Sequence, residues 1–201
     1  MGCQNAGFAA GNHSPGGEAK LTHMARSMPV DEAVAICRRL GERRISFWVD
    51  GGWGVDALVG EQTRDHSDLD LAVDRSDLER LREVLFEVGF RHDVEARPGL
   101  PARLVLFDDR DLQVDVHPLT FDSAGNGWQQ LSESGRAWGR YPAEHLTWTG
   151  RIAGLPVRCL SPELQVRFRM GYEWSPRDEH DIRRLAGAFD IGLLPPTFRD
   201  R

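Results

Sequence analysis

The stretch WVDGGWGVDALVGEQTRDHSDLDL, residues 48–71, decides how the rest of the chain is read. It enters from an apolar run at residues 45–49, rich in branched and aromatic side chains, which predicts a buried strand. Asp50-Gly51-Gly52 ends that strand. Residues 53–59 predict a short helix stopped by Gly60. Two glycines between a strand and a helix let the backbone approach a ligand, and the N–H groups at the helix start attract phosphate. An isolated Gly-Gly is more often a tight connection and nothing more. The stretch closes on Asp68-Leu69-Asp70-Leu71, a period of two that predicts a strand with both carboxylates on one face and both leucines on the other.

Outward from this stretch the chain alternates helical and extended patterns. Residues 31–42 predict a helix with Val30, Ala33, Val34, Cys37 and Leu40 on one stripe and Asp31 as N-cap. Asp77 is a candidate cap for a helix over 78–88 that Gly89 ends. Strands are predicted at 104–107 and 112–117, with Asp108-Asp109-Arg110-Asp111 turning between them. Residues 119–140 contain Gly, Ser and Trp without periodicity and predict an irregular loop. Residues 152–159 predict a hairpin around Ala153-Gly154. Ser161-Pro162 and Ser175-Pro176-Arg177-Asp178 each open a helix, the second with the pattern of a capping box. The expected fold class is α/β (α+β), a mixed sheet flanked by helices with a small helical C-terminal piece.

The chain has 201 residues, a formal net charge of −6 and 28% charged residues. This suits a globular domain and speaks against a nucleic-acid grip, which needs a basic face. Cys3, Cys37 and Cys159 lack the number and spacing of a disulfide or zinc framework. No apolar run reaches the length of a membrane span, and the polar, Gly-rich first 28 residues lack a signal-peptide core. The expected organisation is a mobile tail over 1–28, a domain over 29–192 and a tail over 193–201, in the cytoplasm.

The chemistry concentrates in the acids. Carboxylates two apart on a strand can converge on a hard divalent cation. Asp109-Arg110-Asp111 has the same spacing but lies in a polar turn, so strand context is what distinguishes Asp68 and Asp70. In residues 112–117, Leu112, Val114 and Val116 alternate with Gln113, Asp115 and His117. A strand so placed beside the first would bring Asp115 to the same face, and three carboxylates repel unless a cation neutralises them. Arg64 is a candidate phosphate contact, and His66 either another or a structural hydrogen-bond partner. Asp56 suits the first turn of its helix. His92-Asp93 and His180-Asp181 could hint at a metal phosphohydrolase, but read better as a strand end and a helix start.

The stretch 48–71, followed by Val114-Asp-Val-His-Pro-Leu119, resembles the antibiotic nucleotidyltransferases of the DNA polymerase β superfamily, first the small lincosamide enzymes and then the aminoglycoside 2″-adenylyltransferases. The resemblance continues through 155–159, the Ser161 helix, Gly171-Tyr172 and His180-Asp181-Ile182. It implies Mg²⁺ held by Asp68 and Asp70, with Asp115 as third ligand, general base or both. It also implies a nucleotide site at Gly51, Gly52, Trp53, Arg64 and His66, and transfer of AMP from ATP to a hydroxyl of a small antibiotic. A related expectation is that Trp128, Trp138, Trp148 and Trp174 lie in acceptor-side segments, with service as core or loop anchors the equal alternative. A minimal antitoxin-type enzyme acting on a protein is the competing class, disfavoured by the extra loop, hairpin and helices after residue 119.

Overall fold

Three largely buried segments build the centre of the sheet: β1 (Phe47–Asp50), β2 (Asp68–Asp74) and β5 (Gln113–Phe121). The structure, a computed structural model, describes residues 27–92, 103–131, 138–170 and 172–191. The other strands are β3 (Arg91–His92), β4 (Leu104–Phe107), β6 (Gly127–Gln130), β7 (Trp138–Tyr141), β8 (Trp148–Ile152) and β9 (Leu155–Cys159). Helices are α1 (Val30–Glu42), α2 (Gly51–Val59), α3 (Leu78–Glu87), α4 (Pro162–Phe168) and α5 (Pro176–Ala188). The strands run β3-β4-β5-β2-β1-β9-β8, with β6 and β7 continuing from the end of β5. β2 and β5 are parallel; β1–β2 and β4–β5 are antiparallel.

Because strand side chains alternate, the sheet separates two cores. Phe47, Val49, Leu69, Leu71, Val114 and Val116 face one side and pack with α1, α2 and α3 through Ile36, Leu40, Trp53, Leu81 and Leu85. Trp48, Ala72 and Leu119 face the other and pack with Tyr141, Leu146, Leu160 and Leu164. Asp68, Asp70, Asp115 and His117 alternate onto this second side. The Trp48 indole Nε1 donates to the Leu146 carbonyl at 2.6 Å, tying the sheet to the segment before β8.

The helices follow their caps. α1 buries Ala33, Ile36, Cys37 and Leu40, the spacing of one helix face. Ser161 caps α4 through Leu164 N, and Ser175 with Asp178 completes a capping box on α5. Asp50 caps α2, which begins at Gly51 rather than residue 53; Gly60, at φ +90°, ends it. Gly51, at φ +61°, takes a conformation that only glycine adopts cheaply, and a Cβ there would strike the Asp70 carboxylate.

Several expectations need correction. Pro29, not Asp31, is the N-cap of α1, leaving Asp31 in the first turn. Asp77 stands at the N-cap of α3 as expected, but its carboxylate makes no capping bond and instead accepts from Ser46 N at 2.7 Å, holding the helix to the start of β1. The described part of 119–140, residues 119–131 and 138–140, is not an irregular loop, since β5 runs on to Phe121 and pairs with β6, which pairs with β7. Met28, assigned to the tail, is fully buried, with its N–H on the His66 carbonyl at 2.7 Å. The rest of the expected tail up to residue 26, Asp93, Gly171 and residues 193–201 lie outside the described residues. Among those described, no helix is long and apolar enough to cross a membrane.

Candidate active site

Register brings the acids together. Asp50 at the end of β1 pairs with Asp70 on β2, and Asp70 pairs with Asp115 on β5. The three central strands thus present a row of carboxylates where β1 ends and the parallel strands begin. Oxygens of Asp68, Asp70 and Asp115 lie within 4.8 Å of one another. Burial first, then the charges of Asp70 and Asp115, push the Asp68 carboxyl up to about 7. Burial and the Asp70 charge likewise raise Asp50, against the lowering effects of His117 and the Gly51 N–H.

Such a set of hard oxygen donors, crowded and half-desolvated, fits a divalent cation, whose charge would relieve the repulsion. In this structure Arg103, at the entrance to β4, is ion-paired with the fully buried Asp115 and supplies part of that positive charge.

His117, two residues beyond Asp115 on the same face, has Nε2 3.5 Å from Asp70 Oδ1. Burial opposes its charged form, but the hydrogen bond to Asp70 and the nearby acids outweigh burial and raise its pKa. Tyr141 OH donates to Gln129 Oε1 at 2.8 Å, and Gln129 Nε2 lies 3.0 Å from His117 Nδ1. With the amide so oriented, the neutral ring accepts at Nδ1 and carries its proton on Nε2, facing Asp70. This chain borders a cleft of about 380 Å³ lined by Asp50, Arg103, His117, Leu131, Tyr141 and Phe168, among others. Phe168 stacks edge-on against Tyr141 at 4.8 Å between ring centroids.

On the other flank of the acids lies the first turn of α2. The guanidinium of Arg64 and the ring of His66 cover Gly52 so closely that a Cβ there would collide with both. His66 is buried, with Nε2 2.5 Å from Asp56 Oδ2, while its Nδ1 has no hydrogen-bond partner. Asp56 also accepts from the backbone and hydroxyl of Thr63, so it anchors the 63–66 loop instead of serving the helix terminus. Trp53 is a core residue, 4.6 Å from His66 between ring centroids, which leaves its backbone N–H as what it offers a ligand.

Of the tryptophans expected at the acceptor side, Trp128, Trp148 and Trp174 do not line the cleft. Trp128 donates to Asp122, Trp148 packs edge-on against Phe189, and Trp174 donates to the Arg169 carbonyl. The Trp138 side chain is outside the described residues. Tyr141 and Phe168 form the aromatic wall instead. Asp50, Arg103, Gln129 and Tyr141 were missed as site residues. His117 was within reach, because alternation puts it on the face of Asp115; Arg103 and Tyr141 carry no local signal.

The sequence model of the family described as aminoglycoside-2″-adenylyltransferase matches residues 32–185. This chain belongs to that family. A lincosamide resistance protein of Staphylococcus haemolyticus is 28% identical over 144 residues, 71% of this chain and 84% of that protein. A 2″-aminoglycoside nucleotidyltransferase of Klebsiella pneumoniae is 30% identical over 174 residues, 80% of this chain and 89% of that protein. Among solved structures, the lincomycin-bound lincosamide antibiotic adenylyltransferase LnuA superposes with a TM-score of 0.70 at 25% identity, over 82% of this chain and all of the other. ANT(2″)-Ia with adenylyl-2″-tobramycin gives 0.63 at 23% identity, over 79% and 87% of the two chains, a likeness of fold. The chain is thus an antibiotic-type nucleotidyltransferase with the mixed α/β fold of its relatives.

Proposed function

We propose that the chain transfers AMP from ATP to a hydroxyl of a lincosamide-class antibiotic, inactivating it, with Mg²⁺ as cofactor. The observation that carries this reading is the juxtaposition of Asp68, Asp70 and Asp115 with an aromatic-walled cleft bordered by His117 and Asp50. Asp68, Asp70 and Asp115 are the residues that would hold Mg²⁺, which supplies charge neutralisation for the phosphates. Backbone N–H groups of Gly52 and Trp53, with Arg64 and the unpartnered His66 Nδ1, form the nucleotide side, and Gly51 supplies the close backbone approach beside Asp70. Asp115 takes the proton as the acceptor oxygen bonds to the α-phosphorus and pyrophosphate departs.

For the acceptor, the cleft offers Leu131, Tyr141 and Phe168 as an apolar wall and Asp50 as a partner for one amine. That balance suits a lincosamide, with one amine and an apolar side, better than a polycation, because Arg103 also lines the cleft. The family match supports the second reading, 2″-adenylylation of an aminoglycoside. Consumption of ATP in this way suits the cytoplasm.

The test is incubation with ATP, Mg²⁺ and one drug of each class, followed by mass spectrometry for an added AMP and a chelator control. A lincosamide adduct lost on chelation is expected. An adduct on an aminoglycoside alone would reverse the order, and undiminished transfer in chelator would remove the cation.

A further inference from the structure

The pair His180-Asp181 on α5 does not form a metal site of its own. Both side chains reach across to the loop that follows α2. His180 Nε2 lies 3.0 Å from Thr63 Oγ1, and Asp181 grips Arg64 in a two-pronged ion pair. Arg64 Nε donates to Oδ1 at 2.8 Å, and one terminal nitrogen donates to Oδ2 at 2.7 Å. The other terminal nitrogen donates to the Asp65 carbonyl at 2.9 Å. A guanidinium has five N–H donors in a rigid plane, so these bonds fix that plane and leave two donors for a ligand.

Asp181 is buried and is itself held from behind. Arg169 donates to its Oδ2 at 3.1 Å, and Arg169 is fixed in turn by the carbonyl and side-chain oxygen of Gln165 on α4. The fixed plane lies over Gly52, in the first turn of α2, where it leaves no room for a Cβ. A buried carboxylate between two arginines, aimed so that one of them covers a helix N-terminus, is more than a fastening for α5.

We propose that Asp181 is a positioning residue for the triphosphate, acting through Arg64, so that α5 belongs to the nucleotide site. This rests on the reading of Arg64 as a phosphate contact. A carboxylate that holds both prongs sets the orientation before the nucleotide arrives, and the phosphates then meet donors already in place. A purely structural Asp181 would instead influence stability alone.

The experiment is a double-mutant cycle in the full chain with Arg64→Ala, Asp181→Asn and the combination. KM for ATP, kcat and the rise of the thermal midpoint on adding ATP are measured for each. Arg64→Ala and Asp181→Asn are each expected to raise KM for ATP by about tenfold, the scale of one charge-assisted hydrogen bond. For Asp181→Asn, kcat changes far less than KM, and the ATP-induced midpoint rise shrinks. The combination is no worse than Arg64→Ala. Asp181→Glu, which keeps the charge but displaces the prongs, covers the case in which Asp181→Asn fails to fold. It is expected to raise KM in the native background and to be without effect on KM beside Arg64→Ala. Unchanged KM in a folded Asp181 variant, or effects that multiply in the combination, overturns the proposal. Unchanged KM in Arg64→Ala overturns the underlying reading of Arg64 instead.

Discussion

Asp68 makes the clearest statement at the scale of single residues. Its carboxyl titrates near 7 in the folded chain, because of burial and then of Asp70 and Asp115, against about 3.9 when unfolded. The native state therefore binds more protons between those values, and this group costs stability progressively as pH rises through that window. In chelator, Asp68→Asn is expected to raise the thermal midpoint clearly at about pH 8 and much less at about pH 5. Differential scanning fluorimetry reads this, and an equal shift at both pH values would contradict it. The same variant should lose transfer. Asp115→Asn is expected to lower kcat by about two to four orders of magnitude if the group is a general base. Collapse of ATP affinity in parallel would mark it as a cation ligand, and steady-state kinetics separates the two.

At the scale of elements, local signals and distant partners divide what could be read in advance. α4 and α5 were legible because Ser161 and Ser175 state their caps in sequence. β2 and β5 were legible through strict alternation. β6 and β7 were not: Gly127, Gln129 and Gln130 carry no apolar period. Their place depends on pairing with the end of β5 and on Tyr141 packing against Phe168. Part of the cleft was hidden for the same reason, as Arg103 meets Asp115 only after β4 has paired with β5. Ser161→Ala removes an N-cap, a loss usually worth about 1 kcal/mol and ranging up to about 2 kcal/mol. The hydroxyl also meets His145 Nδ1 at 2.7 Å, so the loss should reach the upper part of the capping range in urea titration. An unchanged midpoint would mean water replaces both bonds.

For the whole molecule, the boundary of the domain is the point to test. The first 27 residues show no apolar periodicity, whereas Met28 is buried and hydrogen-bonded to the 63–66 loop. Deleting residues 1–27 is expected to leave thermal midpoint and turnover nearly unchanged. Deleting two residues more, through Pro29, should lower the midpoint and raise KM for ATP, because it removes the Met28 anchor under His66. Equal behaviour of the two truncations would show that Met28 adds nothing.

The parallel pairing of β2 with β5 has a kinetic consequence. These strands are joined through α3, β3 and β4, so they meet only after a long loop has closed, which is a slow kind of contact to make. The register that joins them is also the one that forces Asp70 against Asp115 and Asp68 close to both. Each time the chain refolds it must bring like charges together at a step that already carries a loop-closure cost. If the pair is formed in the transition state, Asp68→Asn will refold faster than the parent chain in stopped-flow experiments without divalent cations, and unfolding will change little. The acids proposed to hold the cation would then also set how quickly the chain reaches its folded form.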